Sequence, residues 1–287
     1  MDARTLVDEI EGLFSLPEVC QQFNRLLDDK SSDVELAEFI GYDSVLTARL
    51  FNLANDNRLY SRPAESISEA ILRVGTDRLR RLMASTTATN VFANMESDIV
   101  AMDNYWHHSV CCALACESLA RQSDLADPQR LFVAGLVHDI GQLAIYQVLP
   151  DLAVEVLRKA GELESYRYRM EQEIIGITHA EVGQELLARW QLPMFIQKVV
   201  EFHHEPQLAG EYAVEASIVH IATAVANCVE PSWKSGGKEY DAARQVNPFA
   251  WVATGLSPDV IDATVSEISI ESLNVLSVVD PDSAMIF

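Results

Sequence analysis

Seven histidines, at positions 107, 108, 138, 179, 203, 204 and 220, carry the most legible chemistry in this 287-residue chain, because most fall where helical spacing asks for apolar side chains. His179 heads the stripe Val182, Gly183, Leu186, Leu187 and Trp190, so its ring should turn inward near a helix start. His203 continues Ile196, Val199 and Val200. His204 lies four residues past Val200, which puts two adjacent imidazoles at the inward edge of one helix end. His108 extends the face of Cys112, Ala115, Cys116 and Leu119, while His107 shares a less apolar face. His138-Asp139 interrupts the run Leu131-Phe132-Val133-Ala134-Gly135-Leu136-Val137 and drops two polar groups into core. A buried charged carboxylate without a partner costs several kcal/mol, and other unsatisfied polar groups about 1–3 kcal/mol. Something must satisfy this pair.

Two readings of these residues compete. Imidazole nitrogen and carboxylate oxygen drawn from several helices suit a divalent or transition metal ion (Fe, Mn, Zn, Ni, Co or Mg), and mixed His/Asp sites often activate water. A single inward histidine, by contrast, is more often a hydrogen-bonded core residue, and His220, with no acidic neighbour in sequence, stays in that class. Four separate helices each presenting one is harder to assign to packing alone. Cys112 and Cys116, at i,i+4, read as packing residues.

The elements that must position these groups are helical. Val19, Phe23, Leu26 and Leu27 share one face over 15–27, a second helix begins near Asp33, whose carboxylate can accept from free amides, and further stripes follow Asp43-Ser44 and Ser66, the last stopped by Gly75. A long helix is expected from about Asn104 to Gln122, and Asp127-Pro128 opens another. Thr178-x-x-Glu181 has capping-box spacing before a helix to about Trp190. Leu192-Pro193 starts one expected to end at Pro206, and the run 218–226 suits a helix as well as a strand. Lys234-Ser235-Gly236-Gly237-Lys238 is the clearest loop, ahead of one last helix near 258–279 in an acidic tail.

Composition narrows the function. The net charge is −22, which repels polyphosphate backbones and argues against general nucleic-acid binding. The N-terminus lacks the basic-then-apolar order of a secretory signal and no uninterrupted apolar run reaches the length of a membrane span, so a cytoplasmic protein without a membrane role is expected. Five cysteines without CxxC spacing read as reduced thiols rather than a zinc knuckle or a disulfide frame.

In order along the chain, His108, the segment Gly135-Leu136-Val137-His138-Asp139-Ile140-Gly141, His179 and His203-His204 resemble the HD superfamily of helical metal-dependent phosphohydrolases. Within it the chain is most similar to the HDOD family, the HD-related output domain of bacterial signalling proteins, over about residues 13–230. Ser15-Leu16-Pro17, Leu46-Thr47-Ala48-Arg49-Leu50 through Ala54-Asn55, and Ile67-Ser68-Glu69-Ala70-Ile71 through Gly75 carry the N-terminal part. Trp106-His107-His108-Ser109, 176–183, Trp190-Gln191-Leu192-Pro193 and His203-His204-Glu205-Pro206 carry the rest.

The resemblance implies an all-α fold in which a helical N-terminal lobe (1–100) packs on an HD-like helical lobe (101–233), followed by a loop and an acidic helical tail (234–287). It places His108, His138, Asp139, His179, His203 and His204 where catalytic relatives hold metal. Two departures stand out. Gln142 replaces the Lys that often follows His-Asp-Ile-Gly, and Thr223 occupies the region of a terminal Asp ligand; the Gly-Tyr-Pro of the relatives that cleave cyclic dinucleotides is missing after His204. The resemblance therefore implies a non-catalytic or vestigial signalling module that docks another signalling protein, with a retained metal. The alternative is a phosphohydrolase acting on a phosphoester or nucleotide, in which Asp139 would be the catalytic residue. Arg73, Arg78, Arg80 and Arg81 form the densest basic cluster, either a docking patch for an acidic partner or a solvated helix face.

Overall fold

The computed structural model describes residues 1–10, 23, 25–29, 31–55, 62–75, 78–79, 102–123, 127–161, 164–229 and 241–279. No strand occurs among the described residues, as the all-α expectation requires. The N-terminal part contains α1 (Ala3–Asp8), α2 (Asp33–Ile40), α3 (Ser44–Ala54) and α4 (Ile67–Val74). The HD-like part follows with α5 (Met102–Ser123), α6 (Pro128–Val137), α7 (Ile140–Val148), α8 (Pro150–Ala160), α9 (Glu164–Ile174), α10 (His179–Arg189), α11 (Met194–Phe202) and α12 (Ala213–Ala226). Three helices close the described chain: α13 (Ala242–Gln245), α14 (Pro248–Thr254) and α15 (Val260–Val279). Most of the helix expected over 15–27, the break at 96–98 and the loop 234–238 lie outside the described residues, as do Cys20, Arg80 and Arg81.

The helix starts follow from local chemistry. Thr178 and Glu181 form the expected capping box at α10, and Asp127 accepts from Gln129 and Arg130 ahead of Pro128 at α6. At α2 the cap is Ser32 rather than Asp33. Ser32 and Glu35 exchange bonds in a second capping box, and Asp33 becomes the first helical residue. The helix expected to end at Pro206 stops at Phe202, and the His203 carbonyl just beyond it accepts at 2.7 Å from His220 Nδ1–H of α12. Two short 3-10 turns, Pro206–Leu208 and Gly210–Tyr212, fill the gap. The C-terminal part holds more than the one expected helix. Asn247-Pro248 repeats the Asx-Pro signal of Asp127-Pro128 and starts α14, with the Asn247 side chain accepting from Phe249 N–H.

Polar contacts join the N-terminal helices to the later ones at named points. Asn55 Nδ2 donates to the Gln191 carbonyl at 3.0 Å while its Oδ1 accepts from Ala64 N–H at 2.7 Å, so one buried amide ties the end of α3 to the turn after α10. Tyr105 and Ser44 hydroxyls pair at 3.3 Å, and Arg189 bonds the Val7 carbonyl and Asp8. The stretch Pro128–Val148 is long and apolar enough to cross a membrane by length and composition, yet 83% of its 18-residue apolar window is buried inside the protein, where it forms the α6–α7 core.

Two glycines let the site-bearing helices touch. A Cβ on Gly141 would collide with the His179 carbonyl oxygen and reach 2.6 Å from Gly183 N, so α7 and α10 cross with backbone against backbone. A Cβ on Gly135 would sit 2.6 Å from Cys116 Sγ, which closes α6 on α5 and gives Cys116 its packing role. The first contact brings His138-Asp139 to His179; the second brings it to His108.

Candidate metal centre

His108 projects from α5, His138 and Asp139 from the α6–α7 junction, His179 from the first turn of α10, and His203-His204 from the end of α11. All six meet at one place. Two triads, His108/His138/Asp139 and His179/His203/His204, each keep their ligand atoms within 4.8 Å of one another. Asp139 stands between them: its Oδ1 lies 3.2 Å from His179 Nε2 and 3.7 Å from His203 Nε2, and its Oδ2 lies 3.5 Å from His138 Nε2 and 3.9 Å from His108 Nε2. His138, His179 and His203 are wholly buried and Asp139 is 2% exposed.

Hydrogen bonds assign the tautomers. His138 Nδ1 lies 2.7 Å from the Gly135 carbonyl and His203 Nδ1 lies 2.7 Å from the Val200 carbonyl, so both must carry hydrogen there. His179 Nδ1 donates to Glu171 Oε2 at 2.6 Å, and the same oxygen accepts from the His179 backbone N–H at 2.8 Å. Three Nε2 atoms thus converge on one carboxylate. His203 Nε2 and Asp139 Oδ1 have no hydrogen-bond partner although both are buried. Buried acceptors facing each other without a donor are the chemistry of a cation site, and the set of imidazole nitrogens with carboxylate oxygen fits a divalent metal.

Electrostatics agree with that geometry. Burial opposes the charged forms of His138 and His179, but Asp139 and Cys112 raise His138 to about 9, and Glu171 and Asp139 raise His179 to about 10. Burial also works against the Asp139 carboxylate, yet the surrounding imidazoles hold it well below its ordinary range. Burial and the positive neighbours push His203 and His204 down. With no metal bound, these shifts favour protonated His138 and His179 beside an ionised Asp139.

Sequence reasoning missed the contribution of α9 (Glu164–Ile174), for which it made no assignment. Glu171 is 2% exposed and orients His179. Tyr168 stacks on His204 with ring centroids 4.4 Å apart and donates to Glu205 at 3.1 Å. Arg167 donates to Gln142 Oε1 at 2.7 Å, Tyr146 donates to the same oxygen at 3.0 Å, and Gln142 Nε2 donates to Asp139 Oδ2 at 2.7 Å. Spacing offered one signal: Arg167, Tyr168 and Glu171 fall at i, i+1 and i+4, a single helix face.

Other expected residues are placed plainly. His220 is structural: Nδ1–H serves the His203 carbonyl, and Nε2 accepts from Asn247 N–H at 3.0 Å. Thr223 is buried, and its hydroxyl donates back to the Val219 carbonyl at 3.0 Å. His107 is buried beside Cys111, with a ring nitrogen 3.7 Å from Sγ. Arg73 is engaged by Glu69 at 2.5 Å and by the Arg62 carbonyl at 2.9 Å, which ties it into the α4 surface.

Comparison with known proteins identifies the family and the fold. The HDOD domain family matches residues 13–206. An uncharacterised protein of Treponema pallidum is 26% identical over 226 residues, covering 77% of this chain; the chain spans 43% of that relative's length. An HDOD domain protein of unknown function from Geobacter sulfurreducens is 25% identical, with 97% of each chain covered and a TM-score of 0.54. The MmoQ response regulator of Methylococcus capsulatus, 22% identical, shares the fold with a TM-score of 0.68 over 90% of this chain and 99% of its own.

Proposed function

This chain belongs to the HDOD family, and on that premise we propose that it is a regulatory module of bacterial signalling that keeps a metal ion in its His/Asp centre without hydrolysing phosphoesters. The observation that carries the reading is Asp139: buried and ringed by imidazoles, with one oxygen bonded to the neutral amide of Gln142 and the other left for a cation. His108, His138, His179, His203, His204 and Asp139 would hold the ion. A divalent cation in such a site lowers the pKa of a water and screens phosphate charge. What supports the absence of turnover is the pair of replacements beside the centre. Gln142 is an amide, and Thr223 spends its hydroxyl on its own helix, so neither supplies the charge of the lysine or aspartate that catalytic relatives place there. The output is contact with another signalling protein.

One observation favours the second reading, a metal-dependent phosphohydrolase. Arg167 brings a guanidinium 2.7 Å from Gln142 Oε1, close to where the missing lysine would have placed its charge. Purified protein loaded with Mn, Fe or Zn and offered p-nitrophenyl phosphate, bis-p-nitrophenyl phosphate and cyclic and linear nucleotides separates the two. The regulatory reading expects bound metal and no turnover above that of the Asp139→Ala variant. Turnover abolished by Asp139→Ala and reduced by Arg167→Met would establish the hydrolase instead.

A further inference from the structure

A second concave feature lies away from the His/Asp centre, where the first lobe, the HD-like lobe and the C-terminal helix meet. It is a half-open groove of about 760 Å3 between α2, α4, α5, α6 and α15. That volume falls in the range of about 300–1,000 Å3 usual for pockets that take organic ligands. Val34, Ala37, Ile67, Leu114, Phe132 and Val133 supply apolar walls. Glu38 from α2, Glu117 from α5 and Glu271 from α15 supply carboxylates, and no Lys or Arg lines the groove among the described residues.

The three carboxylates act on a shared region. Burial raises the Tyr42 phenol first, then its 3.0 Å bond to Glu38, and the charges of Glu38, Glu271 and Glu117 add to the shift. Burial also raises Glu271, with Glu267 and Glu117 pushing the same way and only Arg121 opposing. Arg121 lies outside the lining and pairs with Glu117 at 3.1 Å, so one cation meets three carboxylates and the groove keeps a net negative charge. Such a surface is complementary to a cation.

The kind of cation follows from spacing. A metal ion needs oxygen ligands packed into one small shell. Among the described residues, the acidic and imidazole groups that gather within 4.8 Å are the two triads of the His/Asp centre, and the groove's glutamates are not among them. Carboxylates spread around an apolar floor suit a charge carried on a larger, partly apolar body, where burial of the body adds to ion pairing.

We propose that this groove binds a small organic cation, an ammonium or guanidinium group on an apolar body. A ligand there touches the lobe that precedes the His/Asp centre and the two helices that lead into it, since Leu114 shares α5 with His108 and Val133 lies on α6 before His138. The proposal stands apart from the metal reading and survives or fails without it.

The test uses three probes with one apolar body, octylguanidinium, octan-1-ol and octanoate, added below their aggregation limits to the full chain labelled with 15N. Octylguanidinium is expected to give saturable amide shifts centred on Ala37, Glu117 and Phe132, to bind at least tenfold tighter than the alcohol, and to weaken as salt is raised; octanoate should not bind. Glu117→Gln combined with Glu271→Gln should cost at least tenfold in affinity with an unchanged helical circular dichroism spectrum. Leu114→Trp, which fills the groove, should abolish binding, and Phe132→Ala should weaken it while leaving the charge in place. Absence of saturable shifts, equal affinity for the alcohol, shifts centred on His179, or indifference to the double substitution would each overturn the proposal. So would an Arg-rich peptide that saturates the groove where octylguanidinium does not, since the site would then serve a protein segment.

Discussion

His179 Nε2 and Asp139 Oδ1 face each other at 3.2 Å, while Glu171 holds the opposite ring nitrogen of His179 at 2.6 Å. The carboxylate of Glu171 fixes the hydrogen on Nδ1, so the far side of the ring is directed at a second carboxylate. That geometry needs a positive particle between ring and Asp139, either a proton or a metal ion. The pH behaviour of the protein should reveal which one is present.

Protons are the first case. His138 and His179 are raised to about 9 and about 10, both above the ordinary histidine value of 6.5. A raised folded-state value means that their contribution to metal-free stability is complete below about pH 6.5 and is lost as pH climbs through 9 to 10. On the acid side, His203 and His204 are held neutral, so stability falls as pH drops below about 6.5. The metal-free melting temperature should therefore peak near pH 6.5 and fall on both sides. Metal must displace protons to bind, so affinity should rise with pH, by up to about tenfold per unit for each proton released. Calorimetry near pH 7.5 in two buffers of different ionisation enthalpy should count about one to two protons released; a count of zero contradicts the assignment.

Glu171 is a positioning residue for His179. Glu171→Gln keeps the shape but weakens the hold on the Nδ1 hydrogen, and outer-shell partners of this kind are worth about 10–100-fold in metal affinity. Competition with a chromophoric chelator should show that loss, and it should be larger for Glu171→Ala. An unchanged affinity in both variants would assign Glu171 to packing alone.

The helix crossing makes a separate prediction about stability. Gly141→Ala drives a methyl into the His179 carbonyl, a backbone atom that cannot swing aside, and overpacking of this kind costs about 1–3 kcal/mol. Gly183→Ala meets Val200 Cγ1 at 3.1 Å, a side chain able to shift, and should cost less. Urea denaturation ranks the two. The reverse order would place the tight contact elsewhere.

Gln142→Lys tests whether the neutral amide is built in. The position is 2% exposed, and its Oε1 already accepts from Arg167. A lysine there would set an ammonium against that guanidinium, so the variant should melt lower than the parent. Adding Arg167→Gln should recover most of the loss in a double-mutant cycle. Additive losses would show that the two side chains do not interact.

Much of this centre was legible in the sequence, for a physical reason. Polar residues placed on otherwise apolar helical faces, as at His138-Asp139 and His179, can only be tolerated where partners wait, and the caps at Asp127 and Thr178 located the helices that carry them. The family resemblance then supplied the set of six. What spacing could not reveal was the partner of each group. Glu171, Tyr168 and Arg167 sit on a polar helix that looks solvated in one dimension, and only the folded chain brings them to His179, His204 and Gln142. His220 was separable from the ligands because no acidic neighbour accompanied it, and its two hydrogen bonds to His203 and Asn247 give that difference a structural cause. Helix α14 was readable from Asn247-Pro248, the same Asx-Pro start as Asp127-Pro128, but only the later helix near 258–279 was expected in the tail.

Elemental analysis of anaerobically purified protein is the most direct measurement of the central claim. At least one Fe, Mn, Zn, Ni, Co or Mg ion per chain, lost from Asp139→Ala and His179→Ala variants that keep the parent's helical circular dichroism spectrum, is the predicted result. Metal absent from every preparation, with no saturable uptake when each of these ions is titrated into the metal-free protein, would contradict it.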